Sequence, residues 1–230
     1  WTFNDGTLID AFGNGTMTRV GLTTSHFITT NGTTIPHIEG VPANLLNVPQ
    51  FTSEADGFNL AFDVTGANGG SAAYINQYTF IFDLYSPGVS DWQAIFQTNP
   101  QNPVGNDADW YIAPDNALGI GAPYSGANAV PQDTWNRIAF TADLALGRMT
   151  FYVNGSFVAE SANDPGLFDG RWALFSNLDP GDDVRLFNEG DQSGLYTHAF
   201  YVNSIAFVDR ELSSLEIADL GNPKAAGILI

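Results

Sequence analysis

The chain has 230 residues, no cysteine, and 25 acidic against 7 basic side chains, which gives a formal net charge of −18. A field of this sign repels nucleic acid and anionic membranes, so we expect neither as a partner. No run of about 18 consecutive apolar residues occurs, and no membrane insertion is predicted. A chain of this length buries roughly 70% of its unfolded surface, so it needs no covalent cross-links.

Low charge content, a single lysine and many Gly, Asn and Thr residues are typical of extracellular β-proteins. We therefore predict a secreted or cell-surface location. The many aspartates suggest calcium as a ligand, because Ca²⁺ prefers carboxylate and carbonyl oxygens. Solubility in salt is the alternative explanation of the acidic surface.

The N-terminal third begins with Trp1 and Phe3, which alternate with Thr2 and are expected in the core. Asp5 and Asp10 stand in Gly-rich turns, where an aspartate either caps its own backbone or ligates calcium. The irregular segment 22–56 predicts short edge strands and long loops.

The central part alternates apolar and polar residues with the period of two that strands require. Strands are predicted at 57–64, 74–85, 91–97, 108–113 and 117–120, with 74–85 apolar on both faces and therefore central. Segment 134–161 predicts three consecutive antiparallel strands. Its second turn is Asn154-Gly155, a pair suited to positive φ at both turn positions.

The C-terminal part predicts a strand at 197–209 and then a short helix. Ser213 and Glu216 have the spacing of a capping box, and the helix should end at Gly221, before Pro223. The whole pattern is all-β with one C-terminal helix.

Three sequence blocks resemble laminin-G-like, concanavalin A-like jelly-roll domains. They are D-x-x-G-N-G at 10–15, W-N-R-I-A-F-T-A-D…G-R-M-T-F-Y-V-N-G at 135–155, and R-E-L-S-x-x-E-I-A-x-L at 210–220. The resemblance implies one antiparallel β-sandwich of jelly-roll topology spanning 1–230. The chain is most similar in these blocks to sandwich domains that occur as accessory modules of larger secreted bacterial proteins.

Catalytic motifs are weak in this sequence. It contains no G-x-S-x-G and no closely spaced histidines. Jelly-roll glycoside hydrolases carry their paired acids in the pattern E-x-D-x-x-E. Segment 54–59 has the first two acids, Glu54 and Asp56, but Asn59 stands in place of the third. An enzyme is therefore the less favoured interpretation, and a divergent polysaccharide hydrolase or lyase stays as an alternative.

Aromatic side chains in polar surroundings are the candidate ligand contacts, because sugar rings stack their C–H faces on such rings. Trp110 is the first candidate, since it follows Asp107 and Asp109 at the end of a Pro-rich loop. The predicted ligand-binding residues are Trp92, Trp110, Tyr111, Tyr124 and Trp172, with Asp107 and Asp109 binding hydroxyls. A place in the core is the alternative for each tryptophan.

No linear calcium loop occurs, so a calcium site would be assembled from distant segments. The predicted metal ligands are Asp5, Asp10, Asp183 and Asp191. The acidic segment 179–191 is also compatible with a solvated loop.

These observations favour a non-catalytic recognition module for a polysaccharide or glycan, with calcium as a possible structural ion. The alternative from another class is a structural or protein-adhesion domain of a larger surface protein.

Overall fold

The computed structural model describes residues 1–10, 15–21, 26–53, 55–62, 66–88, 91–98, 108–119, 125–162, 168–175, 184–189 and 196–230. These residues form a 3-10 helix at Phe3–Asp5, an α-helix α1 at Ser214–Leu220, and fifteen strands. In chain order the strands are β1 Gly15–Val20, β2 His26–Thr29, β3 Asn44–Val48, β4 Gly57–Phe62, β5 Tyr74–Ile75, β6 Gln77–Tyr85, β7 Gln93–Thr98, β8 Ala108–Ile112, β9 Leu118–Gly119, β10 Trp135–Asp143, β11 Arg148–Val153, β12 Ser156–Ala162, β13 Leu174–Phe175, β14 Val184–Leu186 and β15 Phe200–Val208.

Two antiparallel sheets stack into a sandwich, which confirms the predicted fold class. The seven-stranded sheet has the order β12-β11-β10-β6-β15-β3-β2, and the six-stranded sheet has the order β1-β4-β14-β7-β8-β9. A small third sheet pairs β13 with β5. The part of the chain described contains no helix with the length and apolar content needed to cross a membrane.

The core between the sheets is aromatic. Phe80 of β6 and Phe140 of β10 face Phe96 of β7, with ring centroids 5.1 and 5.7 Å from it. All three side chains are fully buried. Burying each such side chain stabilises the fold by roughly 1.5–3 kcal/mol, so this layer holds the two sheets together.

The three predicted strands of 134–161 are β10, β11 and β12, paired in sequence order. The turn between β11 and β12 has φ of 51° at Asn154 and 79° at Gly155, as the Asn-Gly prediction requires. Strand β6 is central in its sheet, also as predicted, with β10 and β15 as its neighbours. The predicted strand at 74–85 is divided at Asn76, whose side chain bonds to Asp169.

The outward face of the seven-stranded sheet is covered by the C-terminal segment. Ile217 of α1, Leu212 and Ile228 pack on Ile81 and Tyr152 in a second apolar cluster. Ser213 and Glu216 form the predicted capping box of α1. Both faces of this sheet are therefore buried at its centre.

A buried ion pair lies under this C-terminal cover. Arg137 of β10 and Asp83 of β6 are directly opposite in register, and Arg137 Nε and Nη2 each donate to Asp83 at 2.7 Å. Ser204 of β15 donates a further bond to Asp83 at 3.1 Å. Burial raises the pKa of Asp83, while Arg137 and Ser204 act in the opposite direction. Removal of one partner would leave an uncompensated buried charge.

We expect Asp83→Asn to destabilise the protein by about 3–5 kcal/mol, because Arg137 loses its counter-charge in a buried position. Urea unfolding measures this loss. The matched control is Glu211→Gln, which removes the partner of the more exposed Arg148 at 2.9 Å; it should cost no more than about 1 kcal/mol. Equal losses in the two variants would contradict the assigned role of the buried pair.

Gly155 lies where the β11–β12 turn meets α1. A Cβ at this position would lie 3.2 Å from Ala218 O and from Gly221 Cα, whereas a Cβ at Gly147 would meet nothing within 4 Å. Both glycines have positive φ, so alanine at either costs roughly 1–2 kcal/mol. We expect Gly155→Ala to cost roughly a further 1–3 kcal/mol because it overpacks the helix contact. Urea unfolding measures the loss of stability in Gly155→Ala and in Gly147→Ala. Equal losses in the two variants would show that the turn does not pack tightly against α1.

Candidate functional site

A row of polar side chains crosses the outward face of the six-stranded sheet. Thr18 pairs with Asn59, Asn59 with Arg185, Arg185 with Gln97, and Gln97 with Asp109. Residues directly opposite each other in neighbouring strands share one face of the sheet. Because the adjacent residues in these strands enter the core, the row points away from it. We call Asn59, Arg185, Gln97 and Asp109 the polar row.

Two members of the polar row are shielded from solvent although they point outward. Arg185 is 8% exposed and Gln97 is 0% exposed, whereas Asn59 and Asp109 are half-buried. Arg185 Nε donates to Asn59 Oδ1 at 2.8 Å. The row combines a cationic donor, two amides and one carboxylate, a set that can both donate to and accept from hydroxyl groups.

Three aromatic side chains lie beside the polar row. Tyr111 is two residues beyond Asp109 in β8, so both point to the same face. Its ring centroid is 5.7 Å from that of Trp92 and 6.0 Å from that of Tyr196, and the last two are 6.4 Å apart. All three rings are half-buried. We call Trp92, Tyr111 and Tyr196 the aromatic cluster.

The backbone fixes the position of Tyr196 in the cluster. The Ala94 N–H in β7 donates to the Tyr196 carbonyl at 2.9 Å, next to the point where Ala94 pairs with Tyr111. The cluster is thus built from three separate segments that converge at one end of β7 and β8. Its edge-to-face contacts hold the rings in place while leaving part of each at the surface.

Three of the predicted ligand-binding residues come together here, namely Trp92, Tyr111 and Asp109. The structure corrects two others. Trp110 is 0% exposed and Trp172 is 1% exposed, and both pack on Phe96 and Phe140 in the core. Trp110 stands between two outward residues of β8, so strand alternation directs it inward. Asp107 and Tyr124 lie outside the described residues.

The predicted metal ligands do not converge in the described part of the chain. Asp5 Oδ1 accepts from the Thr7 backbone N–H at 3.0 Å and from Thr7 Oγ1 at 2.9 Å, so it caps its own turn. Asp10 is half-buried, and Asp183 and Asp191 lie outside the described residues. Within the described ranges, no three His, Cys, Asp or Glu side chains are grouped so that they could hold a metal ion.

Four residues of the site were not predicted from the sequence: Asn59, Gln97, Arg185 and Tyr196. Arg185 offered one signal, because it is one of only seven basic residues and stands in an apolar strand segment. Asn59, Gln97 and Tyr196 carry no individual signal. Strand register brings Asn59 and Gln97 into the polar row, and the hydrogen bond from Ala94 to the Tyr196 carbonyl brings Tyr196 beside Tyr111.

Comparison with known proteins places the fold. No family model matches the sequence, and no curated protein matches it. The chain is similar to domain 4 of AbnA, a GH43 extracellular arabinanase from Geobacillus stearothermophilus solved with arabinotriose, with a TM-score of 0.53, 16% identity and 96% of each chain covered. It is also similar to the CBM40 of the Ruminococcus gnavus IT-sialidase bound to α2,3-sialyllactose, with a TM-score of 0.50, 16% identity, and 64% of this chain and 83% of that chain covered. At these identities the likeness shows the jelly-roll-like sandwich fold.

The two neighbouring tryptophans should respond differently to truncation. We expect Trp110→Ala to destabilise the protein by about 3–5 kcal/mol because it opens a cavity among Phe82, Phe96 and Phe140. Trp92→Ala should cost clearly less, because its ring is half-buried at the surface. Urea unfolding followed by circular dichroism compares the two, and a larger loss for Trp92→Ala would contradict the assignment of core and surface.

Proposed function

We propose that the chain is a non-catalytic carbohydrate-binding module that binds a glycan on the outward face of the six-stranded sheet. The observation that carries the proposal is the aromatic cluster beside the polar row. A sugar ring presents C–H groups on its faces and hydroxyl groups at its edge. Half-buried rings suit the first, and amide, guanidinium and carboxylate groups suit the second.

The likeness to solved domains supports this choice. Both structures named above were determined with an oligosaccharide, arabinotriose in one and sialyllactose in the other. The similarity to domain 4 of AbnA extends over almost the whole of both chains. The ligand proposed for this chain is therefore an oligosaccharide or polysaccharide.

The wider context is also part of the proposal. We infer that residues 1–230 form one laminin-G-like domain of a larger extracellular protein. Three sequence blocks, at 10–15, 135–155 and 210–220, resemble such modules, and AbnA is an extracellular enzyme. Calcium is proposed as a structural ion, and the comparison of binding with and without a chelator tests it. Unchanged binding and unchanged unfolding after chelation would remove calcium from the proposal.

The net negative charge of the protein affects which glycans it can bind. With a net charge of −18, the chain repels a polyanion at low ionic strength. Arg185 is the basic residue of the polar row, and its Nε already bonds to Asn59. We therefore expect neutral polysaccharides to bind better than a polyuronate, and the difference to shrink as salt is added.

We expect the Tyr111→Ala variant to bind glycan about tenfold more weakly, because an aromatic contact contributes about 0.5–1.5 kcal/mol and 1.4 kcal/mol is a factor of ten. Affinity gels containing linear arabinan, xylan, mixed-linkage β-glucan or polygalacturonate measure retardation of the folded protein.

The matched control is Phe157→Ala, which removes a 60% exposed aromatic ring from β12 of the other sheet. It should be retarded like the unmodified protein. If none of the four polysaccharides retards the unmodified protein, the structural or adhesion role becomes the better hypothesis. Turnover of any of them would favour the hydrolase or lyase alternative.

A further inference from the structure

A second row of aromatic side chains crosses the outward face of the seven-stranded sheet, at the end of β6. Trp135 of β10 and Tyr201 of β15 are both directly opposite Tyr85, and Asn47 of β3 is opposite Tyr201. Strand neighbours of these residues, such as Leu84, pack in the core between the sheets, so the row points outward. We call Trp135, Tyr85, Tyr201 and Asn47 the Tyr85 row.

The rings of the Tyr85 row are held in place by their neighbours. The ring centroid of Tyr85 is 5.8 Å from that of Trp135 and 6.0 Å from that of Tyr201. Trp135 Nε1 also donates to the Pro36 carbonyl at 2.8 Å. The middle ring, Tyr85, is only 6% exposed, whereas the two outer rings are half-buried. A ligand can therefore contact the outer rings, with Tyr85 as their support.

A carboxylate is fixed at the end of the row. The Asp133 N–H donates to the Ser86 carbonyl at 3.0 Å, and Asp133 Oδ1 accepts from the Gly88 N–H at 2.9 Å and from the Tyr85 hydroxyl at 3.5 Å. Asp133 is exposed, and the hydrogen bonds from described residues reach only its Oδ1. A Cβ on Gly88 would lie 2.8 Å from Oδ2, so the glycine keeps the space beside this oxygen open.

The negative charge of Asp133 acts on the row. Burial raises the pKa of Tyr85, and the Asp133 carboxylate raises it further. Arg137 is the basic residue of β10 on the same face, but its guanidinium is bonded to Asp83 at 2.7 Å. The row therefore presents a carboxylate beside aromatic rings, and the net charge of −18 adds to its attraction for a cation.

This combination of groups favours one class of ligand. An ammonium group is attracted both to the faces of Trp and Tyr rings and to a carboxylate. A sugar ring places its C–H face on the same rings, and a side-chain amide binds its hydroxyl groups. A protonated amino sugar carries both features in one residue. The row crosses four strands that lie about 4.8 Å apart, so it can contact several residues of an extended chain.

We propose that the Tyr85 row and Asp133 form a second glycan-binding site, which takes a polysaccharide bearing protonated amino groups. This site goes beyond the proposed function, because it lies on the other sheet and recognises a positive charge. The ammonium group pairs with Asp133 Oδ2, sugar rings contact Trp135 and Tyr201, and Asn47 binds a hydroxyl group.

The test uses two ligands with the same backbone, a hexasaccharide of β1,4-linked glucosamine and its fully N-acetylated counterpart. At pH 5.5 the amines of the first are protonated and an aspartate with its ordinary pKa near 3.9 is ionised, whereas the second ligand is neutral. Isothermal titration calorimetry at low salt measures both affinities. We expect the unmodified protein to bind the charged hexasaccharide about fivefold more tightly, and the difference to shrink as salt is added.

Three variants locate the binding of the charged hexasaccharide. Asp133→Asn removes the charge and keeps a residue type that tolerates the φ of 55° at this position, and it should bind about fivefold more weakly. Tyr201→Leu keeps an apolar side chain without the ring and should weaken binding by a similar factor. Asp209→Asn is the matched control for net charge, because Asp209 is exposed and follows the far end of β15 from Tyr201. It should bind like the unmodified protein, and urea unfolding confirms that each variant is folded.

Two results would overturn the inference. Equal affinity of the unmodified protein for the two hexasaccharides would show that no positive charge is recognised. Equal losses in Asp133→Asn and Asp209→Asn would show a general attraction to the acidic protein without a site. If oligolysine binds as tightly as the charged hexasaccharide and with the same dependence on Asp133, the site takes basic peptides and the assignment to a glycan is wrong.

The second site and the proposed function fail separately. If the affinity for the charged hexasaccharide is lost in Tyr111→Ala and kept in Asp133→Asn, this ligand binds on the six-stranded sheet and the second site does not exist. If no neutral polysaccharide retards the protein while the charged hexasaccharide binds through Asp133, the site on the six-stranded sheet is wrong and the second site stands.

Discussion

The ion pair between Asp83 and Arg137 is the interaction on which the arrangement of the seven-stranded sheet depends. It joins the two central strands β6 and β10 directly across their register, and Ser204 adds β15 to the same network. The Arg137 guanidinium also donates to the Leu220 carbonyl at the end of α1. A polar network that is satisfied from four elements at once tolerates few alternative registers, because any slip leaves a buried charge unpaired.

The outward faces of the two large sheets carry different side chains. The C-terminal segment packs over Ile81 and Tyr152, so the outward face of the seven-stranded sheet is buried at its centre. The outward face of the six-stranded sheet instead carries amides, a guanidinium, a carboxylate and three half-buried rings. A rigid sheet spaces such groups at fixed intervals, which lowers the entropic cost of binding an extended ligand.

The sequence by itself determined the fold class, the hairpin at Asn154-Gly155 and the capped helix α1. It also pointed to Trp92, Tyr111 and Asp109, which the structure brings together in the candidate site. These features follow from local periodicity and turn chemistry, which neighbouring residues decide. The inward direction of Trp110 and Trp172 and the convergence of Asn59, Gln97, Arg185 and Tyr196 were decided only by the tertiary structure. Strand order and register set them, because a shift of one residue exchanges the faces of a strand and no local pattern records which distant strand lies alongside.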